Sequence, residues 1–186
     1  MKKTTIYCLA VLLVLICGPA ASVEVSNRPG DAIIGGHAGF SSVRLVKDRD
    51  RIESLQVALR GAYFIAEKWA LGAGMVYDRV AQENTSITTQ RYLAELLLVP
   101  IPDANVSPFV RVGGGYSRWE WHTGTVNPAL NDAITGEVAL GFFAFINDYF
   151  AVVVDGTYFY DNYEKTESND ADNNLTASIG FVGFLR

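Results

Sequence analysis

The chain has 186 residues, 20 acidic against 15 basic, a formal charge of −5 and 49% hydrophobic residues. That length suits one domain, and an acidic balance argues against nucleic acid as a partner. The two cysteines, Cys8 and Cys17, both fall in the first segment, so no disulfide framework or cysteine metal site is expected beyond it.

Residues 1–22 read as a signal peptide. Lys2 and Lys3 give a basic start, Ile6 to Cys17 an apolar run, and Gly18-Pro19-Ala20-Ala21-Ser22 a small-residue cleavage region, with Ala20 or Ser22 as the last residue removed. The run is shorter than the roughly 20 residues a helical span needs. Ile16 is too bulky before Cys17 for lipoprotein processing. Residues 23–186 then form the mature domain.

No later stretch is long and apolar enough for a transmembrane helix, so membrane insertion would be by strands. Turn signals divide the domain into eight strand candidates: Ala32–Val46, Ser54–Ile65, Trp69–Arg79, Gln90–Val99, Val106–Trp119, Ala133–Ile146, Tyr149–Tyr160 and Asn174–Leu185. Most run ten residues or a little more, near the 9–11 that cross a bilayer at a tilt. The links Ala66-Glu67-Lys68, Pro100–Asn105 and Asn147-Asp148 are short, and longer polar loops alternate with them. Tight turns on one rim and long loops on the other fit an outer-membrane barrel. The first strand fits worst, because His37 and Arg44 fall on opposite faces. A bulge or a short strand is expected there.

Each strand has one apolar, uncharged face, such as Leu55, Val57, Leu59 and Tyr63 on the second strand and Val152, Val154, Tyr158 and Tyr160 on the seventh. The other face carries small residues and the ionised set Arg60, Asp78, Arg91, Glu95, Arg111, Glu137 and Asp155. Apolar outside and polar inside is the pattern of a β-barrel in lipid. Counting up from the short-turn rim puts Arg60, Glu95, Arg111 and Asp155 in a middle layer and Asp78, Arg91 and Glu137 in a higher one. A symmetric hairpin around Pro100–Asn105 would set Glu95 opposite Arg111. An eight-stranded lumen is filled by its own side chains, so these charges are expected to plug it and to conduct poorly.

Other signals carry less. Gly113-Gly114-Gly115 lies within a strand, with no following helix or Lys, and is no phosphate loop. The segment Trp119-Glu120-Trp121-His122 is read as a loop, with Trp119, Trp121 and His122 as contact candidates. The last loop, Asp161–Asn173, is acidic and expected to be solvated. His37 and His122 are the two histidines, and no late strand pairs a His with a Ser. No catalysis, cofactor or metal site is therefore expected.

The stretch Ser107-Pro108-Phe109-Val110-Arg111-Val112-Gly113-Gly114-Gly115-Tyr116 resembles the Pro-aromatic, alternating-glycine strand of small outer-membrane barrels. These are the OmpA-type transmembrane domain, the OmpX and Ail group and the opacity-type surface proteins. Such families often end in an aromatic residue, whereas this chain ends Phe184-Leu185-Arg186. The resemblance implies that alternating Leu175, Ala177, Ile179, Phe181 and Leu185 meet the barrel-assembly machinery.

The expectation is an all-β, eight-stranded antiparallel up-and-down transmembrane β-barrel, monomeric, in a Gram-negative-type cell outer membrane. Its partners would be outer-membrane lipid and lipopolysaccharide, with host or phage surfaces at the loops. Two other readings compete: a soluble lipocalin-like periplasmic carrier of an apolar ligand, and a lipid A-modifying barrel enzyme.

Overall fold

Strict alternation of apolar and polar residues sends the two faces of each strand into different surroundings, and the chain satisfies both by closing on itself. The computed structural model describes residues 28–43, 52–82, 85–101, 104–123, 126–163 and 172–185. Its strands are β1 (Ala32–Val43), β2 (Ile52–Ala66), β3 (Trp69–Gln82), β4 (Thr85–Leu98), β5 (Val106–Thr123), β6 (Val126–Asn147), β7 (Phe150–Tyr163) and β8 (Asp172–Leu185). Each pairs antiparallel with the next, and β1 pairs with β8, so the barrel is closed and has no free edge. Every strand candidate corresponds to an observed strand. The signal-peptide expectation falls on residues 1–22, and Arg44 and most of the acidic last loop also lie outside the described residues.

The wall is inside-out. Outward Leu55, Leu59, Ile134, Leu140, Leu175 and Phe181 are 58–70% exposed, whereas Asp78, Arg91, Glu137 and Asp155 are 2–4% exposed. A soluble carrier needs the opposite arrangement, so that reading is overturned. Exposed rings ring both ends of the wall: Tyr63, Trp69, Tyr149 and Phe150 lie near the short turns, and Tyr77, Tyr92, Tyr116, Tyr158 and Tyr160 lie higher. Amphipathic rings settle at the lipid–water boundary in such girdles.

Of the two alternatives expected for β1, a bulge or a short strand, its described residues hold no bulge; at 12 residues it is the shortest described strand, in continuous register with β2 from Ala32 to Val43. Irregularities occur instead beside turns, between Phe64 and Ala66, Trp121 and Thr123, and Phe145 and Asn147. β5 and β6 run well past the expected Trp119 and Ala133 limits, to 18 and 22 residues. At about 3.3 Å per residue and a tilt near 40°, 22 residues rise roughly 55 Å, about twice the apolar band. The polar end of this hairpin lost its hydrophobic alternation, so it read as loop. Cross-strand pairing continues there, as far as Thr123 opposite Val126.

Two local features position the barrel ends. Arg28-Pro29-Gly30-Asp31 makes a turn closed by Asp31 N–H donating to the Arg28 carbonyl at 3.0 Å, with Gly30 at φ 106°. Proline then glycine at the two central positions is the type II signature. Where β1 meets β8, Gly180 lies against the Gly36 carbonyl and His37, and any Cβ there would collide with both.

Candidate functional site

The interior is layered from the short-turn end upward. The lowest layer is apolar: Phe109 stacks on Phe143 with ring centroids 4.6 Å apart, and Phe184 meets Phe143 edge-on at 6.0 Å. Ile33, Phe64, Leu97, Val99, Val153 and Val182 complete a buried cluster. Sequence reading missed this layer, having assigned the inward face small and ionised residues. The signal was present: Phe109 sits two residues from Arg111, and Val153 two from Asp155, so each shares the inward face.

The middle layer holds two guanidinium groups and three carboxylates. Arg111 Nε donates to Glu137 at 2.7 Å, and its Nη2 reaches Asp155 at 3.1 Å and Thr157 at 3.4 Å. Its Nε also lies 3.8 Å from Glu95. Arg60 bridges Glu95 and Glu137, the latter at 3.1 Å, and its Nε donates to His37 Nε2 at 3.1 Å. The Ser178 hydroxyl donates to Asp155. Arg60, on β2, thus reaches Glu95 on β4 and Glu137 on β6, tying non-adjacent staves together.

The upper layer centres on Arg91. It pairs with Asp78 and, at 2.6 Å, with Asp161, and its guanidinium lies 4.5 Å from the Phe159 ring centroid. Gln56 donates to Asp78 at 3.2 Å. Buried ions are tolerated only when paired and hydrogen-bonded. Every charged group in both layers has an ion-pair partner from another strand, while Arg60 Nη2 and Asp78 Oδ1 are buried without a hydrogen-bond partner among the described residues.

All seven ionised residues singled out from the sequence lie on the inner face, but their grouping differs. Glu95 stands opposite Gly113, and Arg111 opposite Leu97. The β4–β5 register is offset from a hairpin symmetric about Pro100–Asn105, with Leu98 opposite Val110. Glu95 and Arg111 therefore meet diagonally. Glu137 belongs to the middle layer, not the upper one. Strands in a closed barrel are tilted and staggered, so equal counts from the rim do not mean equal height. Asp161, assigned to the last loop, is an inward residue of β7.

Trp119, Trp121 and His122, read as a loop, lie on β5, opposite Thr89, Ile87 and Ser86 of β4. Trp119 is half-buried.

Between the apolar and middle layers is a cavity of about 40 Å³, bordered by His37, Arg60, Glu95, Arg111, Leu97 and Phe143. That admits water but is far below the ~300 Å³ of a small-molecule pocket. The Ser178 hydroxyl serves Asp155, and His37 accepts from Arg60.

No family pattern matches the sequence, and no curated protein matches it. Among solved structures, the chain is similar to Neisserial surface protein A at 14% identity, covering 83% of this chain and 94% of that one with a TM-score of 0.56. The outer-membrane protein OprG of Pseudomonas aeruginosa is 15% identical, covering 88% and 99%, at a TM-score of 0.54. Ail, the attachment invasion locus protein of Yersinia pestis, is 15% identical, covering 84% and 97%, at 0.51. With its inside-out wall and paired lumen, this chain has the fold of the small eight-stranded outer-membrane β-barrels.

Proposed function

We propose that this protein is a non-enzymatic integral barrel of a Gram-negative outer membrane, closed along its axis, whose work is done at the long-loop rim. The observation carrying this reading is the stack inside the wall. A phenylalanine-rich layer lies beneath two ion-paired layers that span the lumen. An ion crossing it would have to break several buried pairs and pass an apolar constriction. Among the described residues, the β5–β6 hairpin bearing Trp119, Trp121 and His122 has the longest strands and rises highest on that rim. It is the surface we assign to contacts with neighbouring lipid, host or phage.

Reconstitution into planar bilayers tests the closure. The expected record is flat or shows only small, rare steps; stable, large unit currents would overturn the plug. Mass spectra of lipid A from cells with and without the protein test the non-enzymatic assignment. They should be identical, and a loss or gain of an acyl chain would refute it.

A further inference from the structure

We propose that His37 is an acid-sensitive latch on Arg60, holding the middle layer together while its ring is neutral and letting go when the ring takes up a proton. Arg60 Nε donates to His37 Nε2 at 3.1 Å. A guanidinium has only N–H donors and no acceptor, so His37 Nε2 must offer its lone pair. The ring is therefore neutral in this arrangement and carries its own hydrogen on Nδ1. An imidazolium has a hydrogen on both nitrogens. Proton uptake and the Arg60 contact exclude each other.

The space beside Arg60 gives the released side chain somewhere to go. Its Nη1 bridges Glu95 and Glu137, whereas its Nη2 is buried with no hydrogen-bond partner among the described residues. His37 and Arg60 both border the cavity of about 40 Å³ above the phenylalanine layer. A guanidinium freed at Nε can turn into that cavity. Doing so loosens the tie that Arg60 makes from β2 to Glu95 on β4 and Glu137 on β6.

The protonated ring is not stranded either. Its charged neighbours are Asp155 on β7, Arg60 on β2, Arg111 on β5 and Glu137 on β6. Glu95 on β4 stands across the cavity, while β3 and β8 bring the uncharged Gly72 and Gly180. Glu95, Glu137 and Asp155 outnumber Arg60 and Arg111, so the layer is one positive charge short and an imidazolium supplies it. Latched and released forms both leave the buried charges balanced, which makes the layer a switch between two arrangements.

The latch rests on the closed lumen proposed above, and urea unfolding in phosphatidylcholine vesicles at about pH 7.5 and about pH 5.5 tests it. An unperturbed imidazole titrates near pH 6.5, so at about pH 5.5 the unfolded chain holds the proton roughly ten to one. The latched barrel does not bind it, so acid favours unfolding. The step begins as the pH falls through about 6.5 and reaches about tenfold in the unfolding equilibrium constant one unit lower. His37→Gln should lack this step, because its amide oxygen can accept from Arg60 but does not titrate. His122→Gln, which removes the other histidine, should keep it. Nitrogen NMR of the unsubstituted chain in nanodiscs should find the His37 ring protonated at Nδ1 and bare at Nε2 at the higher pH.

Equal steps in the parent and His37→Gln, a step lost with His122→Gln, or a His37 ring protonated at Nε2 would each overturn the latch. Should His37→Gln fail to insert, the ring spectrum decides alone. A flat bilayer record alongside equal pH steps removes the latch and leaves the closed lumen standing, whereas large currents at neutral pH remove both.

Discussion

Arg111→Met should destabilise the barrel by about 3–5 kcal/mol, the cost of stripping a buried charge cluster of its counter-ion. Arg111 touches Glu137, Asp155 and Glu95 at 2.7, 3.1 and 3.8 Å. Without it Glu137 keeps only Arg60, while Asp155 keeps only hydroxyl partners. The penalty comes from orphaned carboxylates and not from a lost attraction, since a complete buried pair roughly breaks even against apolar residues. A triple variant, Arg111→Met with Glu137→Gln and Asp155→Asn, should therefore recover most of the loss. Urea unfolding in lipid vesicles, followed by tryptophan fluorescence, measures both. A single variant within about 1 kcal/mol of the parent, the range of exposed pairs, would show that water already screens the cluster.

Phe143→Ala should cost a comparable amount, about 3–5 kcal/mol, from lost burial and the cavity left behind. Phe143 is 4% exposed, stacks on Phe109 at 4.6 Å and meets Phe184 at 6.0 Å. Deleting its ring would also enlarge the 40 Å³ cavity that it borders. Phe143→Leu, which keeps most of the volume, should cost clearly less. The same unfolding assay reads the series, and equal losses for Ala and Leu would mean that the layer is not closely packed. The Ala variant should also raise the conductance of the barrel above its near-zero baseline, because it removes the apolar seal beneath the ions.

Strand number, order and facing were legible in the sequence because the lipid imposes a strict rule. Leu59 and Leu140 had to be outside and Arg60 and Glu137 inside, and a period of two admits one phase. Above the bilayer that rule lapses. The end of the β5–β6 hairpin, from Glu120 to Asn131, pairs strand to strand without hydrophobic alternation and read as a loop.

Partner identity inside the lumen was hidden for another reason. It depends on stagger between strands, which a count along one strand cannot supply, so Glu137 was set a layer too high. The Glu95–Arg111 pairing failed because the β4–β5 register is offset from the symmetric hairpin, setting Glu95 opposite Gly113 and Arg111 opposite Leu97. The phenylalanine layer was readable from the inward phase and was overlooked because a narrow lumen was expected to hold only small or charged groups. Asp161 likewise kept the inward phase of Asp155, Thr157 and Phe159.

A cysteine scan along β7 probes most directly which way the wall faces, since residues 23–186 contain no cysteine of their own. Nitroxide labels at Val152, Val154, Tyr158 and Tyr160, read in vesicles, should show high collision with lipid-soluble oxygen. Labels at Val153, Thr157 and Phe159 should show little, or should block folding. An alternation of opposite phase, or none, would contradict a barrel that turns its hydrocarbon outward and its ions toward the axis.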